Sequence, residues 1–289
     1  MDVHLRALAA RQYDIVAAWQ LMRWGWTRRM VDHGVEDRGW RVVHPGVYAL
    51  TAAVLTTHQR WMAAALTAPE TVLSHQSAAA CWGFGRWLGM SETVTRPGNG
   101  GPRELGGVLV RRSRTLAGET TSNEGIPITT VPRTLIDRAA HMGPTATGRM
   151  LREALRLRKT TAPAVIATLA NHRGQPGTPS LLQLATRYAG LPIARTRSDP
   201  EALALAILQD AGIEPPRVNM RIRGEEADLV WPKRRRIVEI DGPQFHQFRD
   251  EDARKQAIWE AAGNTVRRIA SHDVYFHPRR LLVLANVPN

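Results

Sequence analysis

The stretch RRRIVEIDGPQFH, residues 234–246, decides the fold of the C-terminal part of the chain. Three arginines lead into a short apolar strand, which ends at a Gly-Pro turn followed by His246. Because side chains alternate along a strand, Glu239 and Asp241 point to the same side. A strand whose apolar residues are suited to burial therefore carries two carboxylates on one side.

The stretch RVNMRIRGEEADLVWP, residues 217–232, predicts the neighbouring strand. A short Pro-Lys-Arg turn would join the two strands as an antiparallel hairpin. A tight turn at this point brings Asp228 roughly opposite Glu239, so that Asp228, Glu239 and Asp241 are expected to converge.

A helix is predicted to precede this hairpin, over SDPEALALAILQDAGI at residues 198–213. Ser198 or Asp199 is the expected N-cap, and Pro200 lies in the first turn. Glu201 lies on or beside the apolar stripe, so it could reach the carboxylates from a helix packed on the sheet. The alternative is a favourable interaction of Glu201 with the helix dipole.

Clustered carboxylates repel one another and are unfavourable to bury unless a positive group joins them. A hard divalent cation, Mg²⁺ or Mn²⁺, fits such oxygen ligands. It can lower the pKa of a water molecule and stabilise charge on a scissile phosphate. Arg234, Arg235 and Arg236 would then hold the phosphate backbone nearby. The alternative is a surface acid cluster paired with these same arginines.

The C-terminal stretches resemble the PD-(D/E)xK nuclease superfamily, in particular the small domain related to very-short-patch-repair endonucleases. EADLVWP, RRIVEIDGPQFH and EDARKQAIWEAAGNTVRRI follow its order of motifs. The resemblance implies that Asp228 and Glu239 are metal ligands, supported by Asp241 and Glu201. Asp241 occupies the place of the superfamily's lysine. The resemblance implies a catalytic role for His246, with Lys255 as the substitute for the missing lysine.

The composition favours a polyanionic partner. The net charge is +13 and the pI about 11.2, and nucleic acid is the usual partner of such a chain. The alternative is a coding bias towards arginine, which does not explain the shortage of acids. The single cysteine, Cys81, the polar N-terminus and the lack of an apolar run of ~20 residues predict a soluble, cytoplasmic protein that does not enter a membrane.

Residues 1–50 predict three short helices followed by a hairpin, which is the pattern of a winged helix-turn-helix. The third helix would enter the major groove of double-stranded DNA. Its first turn carries Thr27, Arg28 and Arg29, and Arg38 and Arg41 would lie on or near the wing. The alternative is a helical cap with a solvated basic face.

Residues 51–145 predict a mixture of helices and strands. WRVVHPGVYAL, VLSHQSAAACWGF and GIPITTVPRTLIDRAA resemble signature stretches of AbiEi-type antitoxins, which pair a winged helix with an α/β domain. The resemblance implies DNA binding, repression of an operon and a cognate toxin as partner. His75, in the second stretch, is expected to be a hydrogen-bonded structural residue.

Residues 146–195 predict a helical, basic connector, and residues 196–289 the nuclease-like domain. The whole chain is thus expected to be mixed α/β: a winged helix-turn-helix, an AbiEi-like α/β domain, and a restriction-endonuclease-like mixed sheet flanked by helices. The leading function is metal-dependent hydrolysis of DNA. A non-enzymatic regulator or antitoxin with a degenerate nuclease scaffold is the main alternative, and an RNA-directed nuclease is a third.

Overall fold

The structure is a computed structural model that describes residues 3–86, 89, 91–242 and 249–286. The fold is mixed α/β, as the sequence predicts. By its internal contacts the chain divides into two compact units, Met1–Thr147 with Ala167–Pro179, and Gly148–Ile166 with Ser180–Asn289. Among the described residues, no helix combines the length and the apolar character needed to cross a bilayer.

The first unit begins with a small helical layer on a three-stranded antiparallel sheet of order β1-β3-β2. Leu5, Val31 and Trp40 are buried between the helices and the sheet. The predicted three helices and hairpin are present, and the short strand β1 is added to them. The elements are α1 (Val3–Arg11), β1 (Ile15–Ala17), α2 (Ala18–Arg23), α3 (Arg28–Asp37), β2 (Arg41–His44) and β3 (Val47–Ala49).

The first unit continues with a mixed six-stranded sheet of order β6-β7-β5-β4-β9-β8. Its buried residues Val94 and Ile128 belong to the same hydrophobic cluster as Ile15 and Val47. The expected boundary at residue 50 therefore lies within a continuous core. The elements are α4 (Thr57–Ala65), β4 (Val72–Leu73), α5 (His75–Cys81), β5 (Thr93–Pro97), β6 (Glu104–Leu105), β7 (Val108–Ser113), β8 (Thr120–Asn123), β9 (Ile126–Thr129) and α6 (Val131–Ala139).

The stretch expected to be a basic connector is helical, and its residues are divided between the two units. Its basic face is not uniformly solvated: Arg152 is 5% exposed and donates to Asp199 Oδ1 at 2.7 Å and to Tyr188 Oη at 2.8 Å. The elements are α7 (Pro144–Arg156), α8 (Ala162–Leu169), a 3₁₀ turn (Ala170–His172) and α9 (Thr178–Tyr188).

The second unit contains a four-stranded sheet of order β10-β11-β12-β13. The neighbours are antiparallel except β12 and β13, which are parallel and connected through α11. Trp259 belongs to one apolar cluster of this sheet, and Leu205 and Leu281 belong to a second. The elements are α10 (Asp199–Asp210), β10 (Arg217–Ile222), β11 (Glu225–Trp231), β12 (Arg236–Asp241), α11 (Arg249–Ala261), β13 (Thr265–Ala270), α12 (Ser271–Phe276) and α13 (Pro278–Asn286).

The prediction of one strand over residues 217–232 is wrong. This stretch forms two antiparallel strands, β10 and β11, which turn at Arg223 and Gly224. Both turn residues have positive φ, 51° and 93°, a conformation that glycine adopts without a steric penalty. The hairpin predicted between Asp228 and Glu239 is formed by β11 and β12.

Candidate active site

Asp228 and Glu239 lie on neighbouring antiparallel strands, next to the paired residues Leu229 and Val238. Glu239 Oε1 accepts a hydrogen bond from the backbone N–H of Asp228 at 2.9 Å. Asp228 Oδ2 accepts one from the backbone N–H of Ile240 at 2.8 Å. Each carboxylate is thus oriented by the opposite strand, as the predicted register requires.

Each of the two carboxylates keeps a second oxygen that accepts no backbone N–H of the opposite strand. With the described residues, neither Asp228 Oδ1 nor Glu239 Oε2 makes a hydrogen bond. Both side chains are only partly exposed, so these oxygens are held close to the sheet rather than in bulk water. Such paired oxygens are suited to a hard cation, which can complete its coordination with water or phosphate.

Burial and the charge of neighbouring carboxylates raise the pKa of both Asp228 and Glu239. Burial is the largest cause that raises the pKa of Asp228, and the negative charge of Glu201 raises it further, against the opposing effect of the Ile240 hydrogen bond. Burial also raises the pKa of Glu239, followed by the charge of Asp228. Two adjacent acids with raised pKa values are typical of functional sites, although structural networks also produce them.

Asp241 is held by Arg268, a residue that the sequence analysis missed. Arg268 Nη2 donates to Asp241 Oδ1 at 2.5 Å, and Nε donates to Oδ2 at 3.0 Å. Arg268 also lies 3.6 Å from Asp252 and stands opposite Glu239 in the parallel register of β12 and β13. Its charge lowers the pKa of Glu239. The only sequence signal was the basic final strand TVRRI.

Glu201 is almost fully buried in the first turn of α10, and its oxygens have local partners. Oε1 accepts from the Ser198 hydroxyl at 2.7 Å, and Oε2 accepts from the Arg197 N–H at 2.9 Å and from Asn219 Nδ2 at 3.1 Å. Ser198 in turn caps the helix, as predicted. Glu201 therefore acts on Asp228 through its charge.

Among the described residues, Asp228, Glu239 and Asp241 do not form a group whose ligand atoms all lie within 4.8 Å of one another, and Asp241 pairs with Arg268. Glu201, which was expected to reach them from the helix, is hydrogen-bonded to its own helix cap. Within the described ranges, the one group of three possible ligands whose atoms lie within 4.8 Å of one another is His272, Asp273 and His277. The two histidines are exposed. This group had not been predicted.

Two of the arginines expected to hold phosphate have protein partners. Arg236 is 4% exposed, and its Nη1 donates to the carbonyl oxygen of Ala285 at 3.1 Å, so this burial does not favour its predicted contact with DNA. Its side chain secures α13 instead. Arg234 Nη2 lies 3.7 Å from Glu214 Oε2. Arg235 is exposed, and its contact with DNA stays a prediction.

Lys255, the predicted substitute for the missing lysine, pairs with an acid of its own helix. Its Nζ lies 2.9 Å from Glu251 Oε1, one turn earlier on α11. This ion pair is the main cause that raises the pKa of Lys255. Among the described residues, Arg268 is the cation that bonds Asp241 and stands opposite Glu239. His246 lies outside the described residues.

The first turn of α3 carries the residues that were predicted to meet DNA. The Thr27 hydroxyl accepts from the Met30 N–H at 3.3 Å and so caps the helix, while Arg28 and Arg29 are exposed. Arg38 is exposed just after the helix, and Arg41 Nη2 donates to the carbonyl oxygen of Ala53 at 2.8 Å.

The far end of α3 is acidic. Glu36 and Asp37 are exposed, and Asp37 forms an ion pair with His33. Positive charge is therefore concentrated at the start of this helix, where the helix-turn-helix pattern predicts DNA contact.

No protein-family model matches the chain, and no curated protein matches it.

Proposed function

We propose that this chain binds double-stranded DNA and hydrolyses its phosphodiester bonds with the help of Mg²⁺ or Mn²⁺. The observation that supports this proposal is the pair Asp228 and Glu239. These two partly buried carboxylates are oriented by backbone N–H groups, and each keeps one oxygen without a hydrogen bond from the described residues. The repulsion between them is relieved most directly by a divalent cation.

The residues of this site fit a divalent cation by their chemistry. Asp228 Oδ1 and Glu239 Oε2 would hold it, and the backbone N–H groups of Asp228 and Ile240 would keep both carboxylates in place. When bound, the cation would supply Lewis acidity and positive charge at the scissile phosphate. Two protein carboxylates suffice for Mg²⁺, which usually keeps several water ligands.

Arg268 is the residue that we propose in place of the superfamily's lysine. It neutralises Asp241 and brings a permanent positive charge to the strand next to Glu239. That charge favours the ionised form of Glu239, which is the form that binds a cation. By the resemblance, His246 accepts or donates the proton during cleavage, and its unperturbed pKa of about 6.5 suits this role.

The basic charge of the chain and the exposed arginines of α3 support the DNA-binding part of the proposal. The net charge of +13 favours a polyanion, and Arg28 and Arg29 lie at the start of the helix that would enter the major groove. Double-stranded DNA is therefore the proposed partner.

A non-enzymatic regulator with a cognate toxin is the second candidate. The observation in its favour is that Asp241 and Lys255 both form ion pairs with neighbouring side chains. A site that retains only part of its charged groups is compatible with a scaffold that has lost catalysis. Both candidates bind DNA through α3, so cleavage and cation binding discriminate between them.

The deciding experiment is a titration of the full chain with Mn²⁺ by calorimetry, for the natural protein and for Asp228→Asn. We expect binding at or below the millimolar range, weakened at least ~10-fold by the substitution because one charged ligand is lost. Cleavage of plasmid, single-stranded, mismatched and RNA substrates should fall roughly 100-fold or more in the same variant.

Two control variants make this titration specific. Asp210→Asn changes an exposed acid that pairs with Arg187 in the same unit. His272→Ala with His277→Ala removes the exposed histidines of the other candidate ligand group. Both should leave Mn²⁺ affinity near the natural value. Loss of binding in the histidine variant alone, or no Mn²⁺ binding by the natural protein at millimolar concentration, refutes the enzymatic proposal.

A further inference from the structure

The first unit contains a cavity of about 630 Å³ that the proposed function does not use. It is lined by parts of β5, β7 and α6 and by the glycine-rich loop at residues 100–103. Its volume is in the range of ligand sites, which is ~300–1,000 Å³. Its lining residues include His75, Arg103, Arg111, Arg112, Asp137 and His141.

Asp137 is the acidic residue that lines this cavity. Its Oδ1 accepts from Arg133 Nε at 2.8 Å. Its Oδ2 is buried and has no hydrogen-bond partner among the described residues, and His75 Nδ1 lies 3.8 Å from it. A buried acceptor without a donor is unfavourable. This oxygen is therefore suited to a donor that a ligand brings.

Arg133 fixes the position of Asp137, and each of its three side-chain nitrogens donates a hydrogen bond. Its Nη1 donates to Glu119 Oε2 at 2.7 Å and to the Thr115 carbonyl oxygen at 2.8 Å, and its Nη2 donates to Ser113 Oγ at 2.9 Å. Glu119 is anchored in turn by His172 Nε2 at 2.7 Å. This buried network holds the carboxylate without help from a ligand.

The other charged side chains of the cavity are positive. Arg103, Arg111 and Arg112 are all exposed, so their guanidinium groups can meet a ligand from solvent. The exposed ring of His141 lies 6.0 Å from the ring of His75. Three arginines in one opening are typical of a phosphate site, because guanidinium groups pair with phosphate through two parallel hydrogen bonds.

His75 is neutral in this setting. Burial is the largest cause that lowers its pKa, to about 3, and the positive charge of Arg111 and His141 lowers it further. Its Nδ1 lies 3.0 Å from Ser74 Oγ, the hydrogen bond expected of a structural histidine. Its position on the cavity wall beside Asp137 was not predicted, because 62 residues of sequence separate the two side chains.

We propose that this cavity binds a small phosphorylated ligand with a hydrogen-bond-donating head group, of the chemical class of nucleoside phosphates. The head group donates to Asp137 Oδ2 and contacts the His75 ring. The phosphate binds to Arg111, with Arg103 and Arg112 at the edge of the opening. This proposal is independent of the metal site, which lies in the second unit.

The test is calorimetric titration of the full chain, without DNA and in the presence of EDTA. The probes are inorganic phosphate, pyrophosphate, and the adenine, guanine, cytosine and uracil nucleosides with their mono- and triphosphates. We expect at least one nucleotide to bind at least ~10-fold more tightly than both its nucleoside and inorganic phosphate, since both ends of the cavity contribute.

Variants assign that binding to the cavity. Arg111→Ala with Arg112→Ala should weaken nucleotide affinity at least ~10-fold, because two charge-assisted contacts are lost. Arg6→Ala with Arg11→Ala removes the same charge from exposed positions on α1 in the same unit and should leave the affinity unchanged. His75→Asn should weaken the binding of the nucleotide and leave the binding of inorganic phosphate unchanged. This substitution leaves the hydrogen bonds of Arg133 in place.

Several results would overturn the proposal. The first is that no nucleotide binds at roughly 5 mM, a concentration at which even weak ligands bind. The second is equal affinity for nucleotide and inorganic phosphate, and the third is an equal loss of affinity in the two arginine-pair variants. The second result would indicate an adventitious anion only, and the third a general charge effect. Cleavage and Mn²⁺ binding are measured separately, so failure here leaves the nuclease proposal unaffected.

Discussion

At the scale of single residues, Asp228 and Glu239 determine how the metal-free protein responds to pH. Burial raises the pKa of both groups, so the folded chain holds protons that the unfolded chain releases. The stability that these protonated groups contribute is fully present below the ordinary carboxyl pKa of about 4. It is lost as the pH rises through the raised pKa values of the folded protein.

We therefore predict that Asp228→Asn stabilises the metal-free protein at alkaline pH. Asparagine keeps an oxygen for the Ile240 N–H and removes one buried charge, which is worth on the order of 1–3 kcal/mol in the free energy of unfolding. Denaturant unfolding in EDTA at pH 5 and pH 8.5 measures the effect, which should be larger at pH 8.5. Asp210→Asn is the control, and an equal effect at both pH values contradicts the prediction.

The second prediction at this scale concerns Arg268. Arg268→Ala leaves Asp241 without its partner and removes the charge that lowers the pKa of Glu239. The pH midpoint of Mn²⁺ binding should therefore move upwards by about one unit, and Arg268→Lys should restore part of it. Arg254→Ala, which breaks an ion pair with Glu225, is the control. An unchanged midpoint would show that Arg268 has no influence on the site.

The sequence was informative for two of these residues and silent about the third. Strand alternation and a tight turn were enough to pair Asp228 with Glu239, because both effects are local. Arg268 reaches Asp241 across a parallel pairing of β12 and β13, and the register of such a pair depends on the crossover through α11. No local pattern contains that register.

At the scale of elements, the start of α3 is the predicted contact with DNA. Arg28→Ala with Arg29→Ala should weaken binding to duplex DNA and reduce the slope of log K against log [salt] by about 2, since two phosphate contacts are lost. Fluorescence anisotropy at several salt concentrations measures both. Arg6→Ala with Arg11→Ala is the matched control on α1, and the same slope in all three proteins would remove α3 as the contact.

The packing of α3 depends on a glycine. A Cβ atom added at Gly34 would lie 2.6 Å from the Trp40 ring, which is buried. Gly34→Ala should therefore destabilise the chain by ~1–3 kcal/mol, although alanine is normally better than glycine inside a helix by ~1 kcal/mol. Thermal unfolding measures the sign of the change in stability. A stabilised variant would mean that Trp40 moves aside without loss of packing.

Element boundaries were predictable where a cap or a strong period exists. Thr27 and Ser198 cap α3 and α10 as the sequence indicates, and their hydroxyls accept the expected backbone N–H groups. The turn that splits β10 from β11 was missed, because Arg223 precedes its glycine and reads as part of an uninterrupted strand. The three-residue strand β1 is too short to show a period.

At the scale of the whole molecule, the division into units could not be deduced from composition. The basic helices of residues 146–195 resemble an exposed connector, yet Arg152 is buried against Asp199 and Tyr188. An arginine in a sequence does not reveal whether its partner is solvent, phosphate or a carboxylate 47 residues away. The net charge of +13 indicates a polyanionic partner and carries no information about the fold.

From the division of the chain into two units, we predict that DNA binding and cation binding are separable in the intact chain. Arg28 and Arg29 belong to the first unit and Asp228 to the second, with no shared partner among the described residues. Substitutions at such sites usually combine additively within ~0.5 kcal/mol. The chain with Arg28→Ala, Arg29→Ala and Asp228→Asn should therefore show the DNA affinity of the arginine variant in EDTA and the Mn²⁺ affinity of Asp228→Asn.

Anisotropy and calorimetry test this prediction. Both are applied to the natural chain, the two parent variants and the combined variant. Asp228→Asn alone should leave the salt slope of DNA binding unchanged, because it removes no cation from the protein. If the arginine variant changed Mn²⁺ affinity more than ~3-fold, or ~0.7 kcal/mol, the two sites would be energetically coupled and the separable arrangement would be wrong.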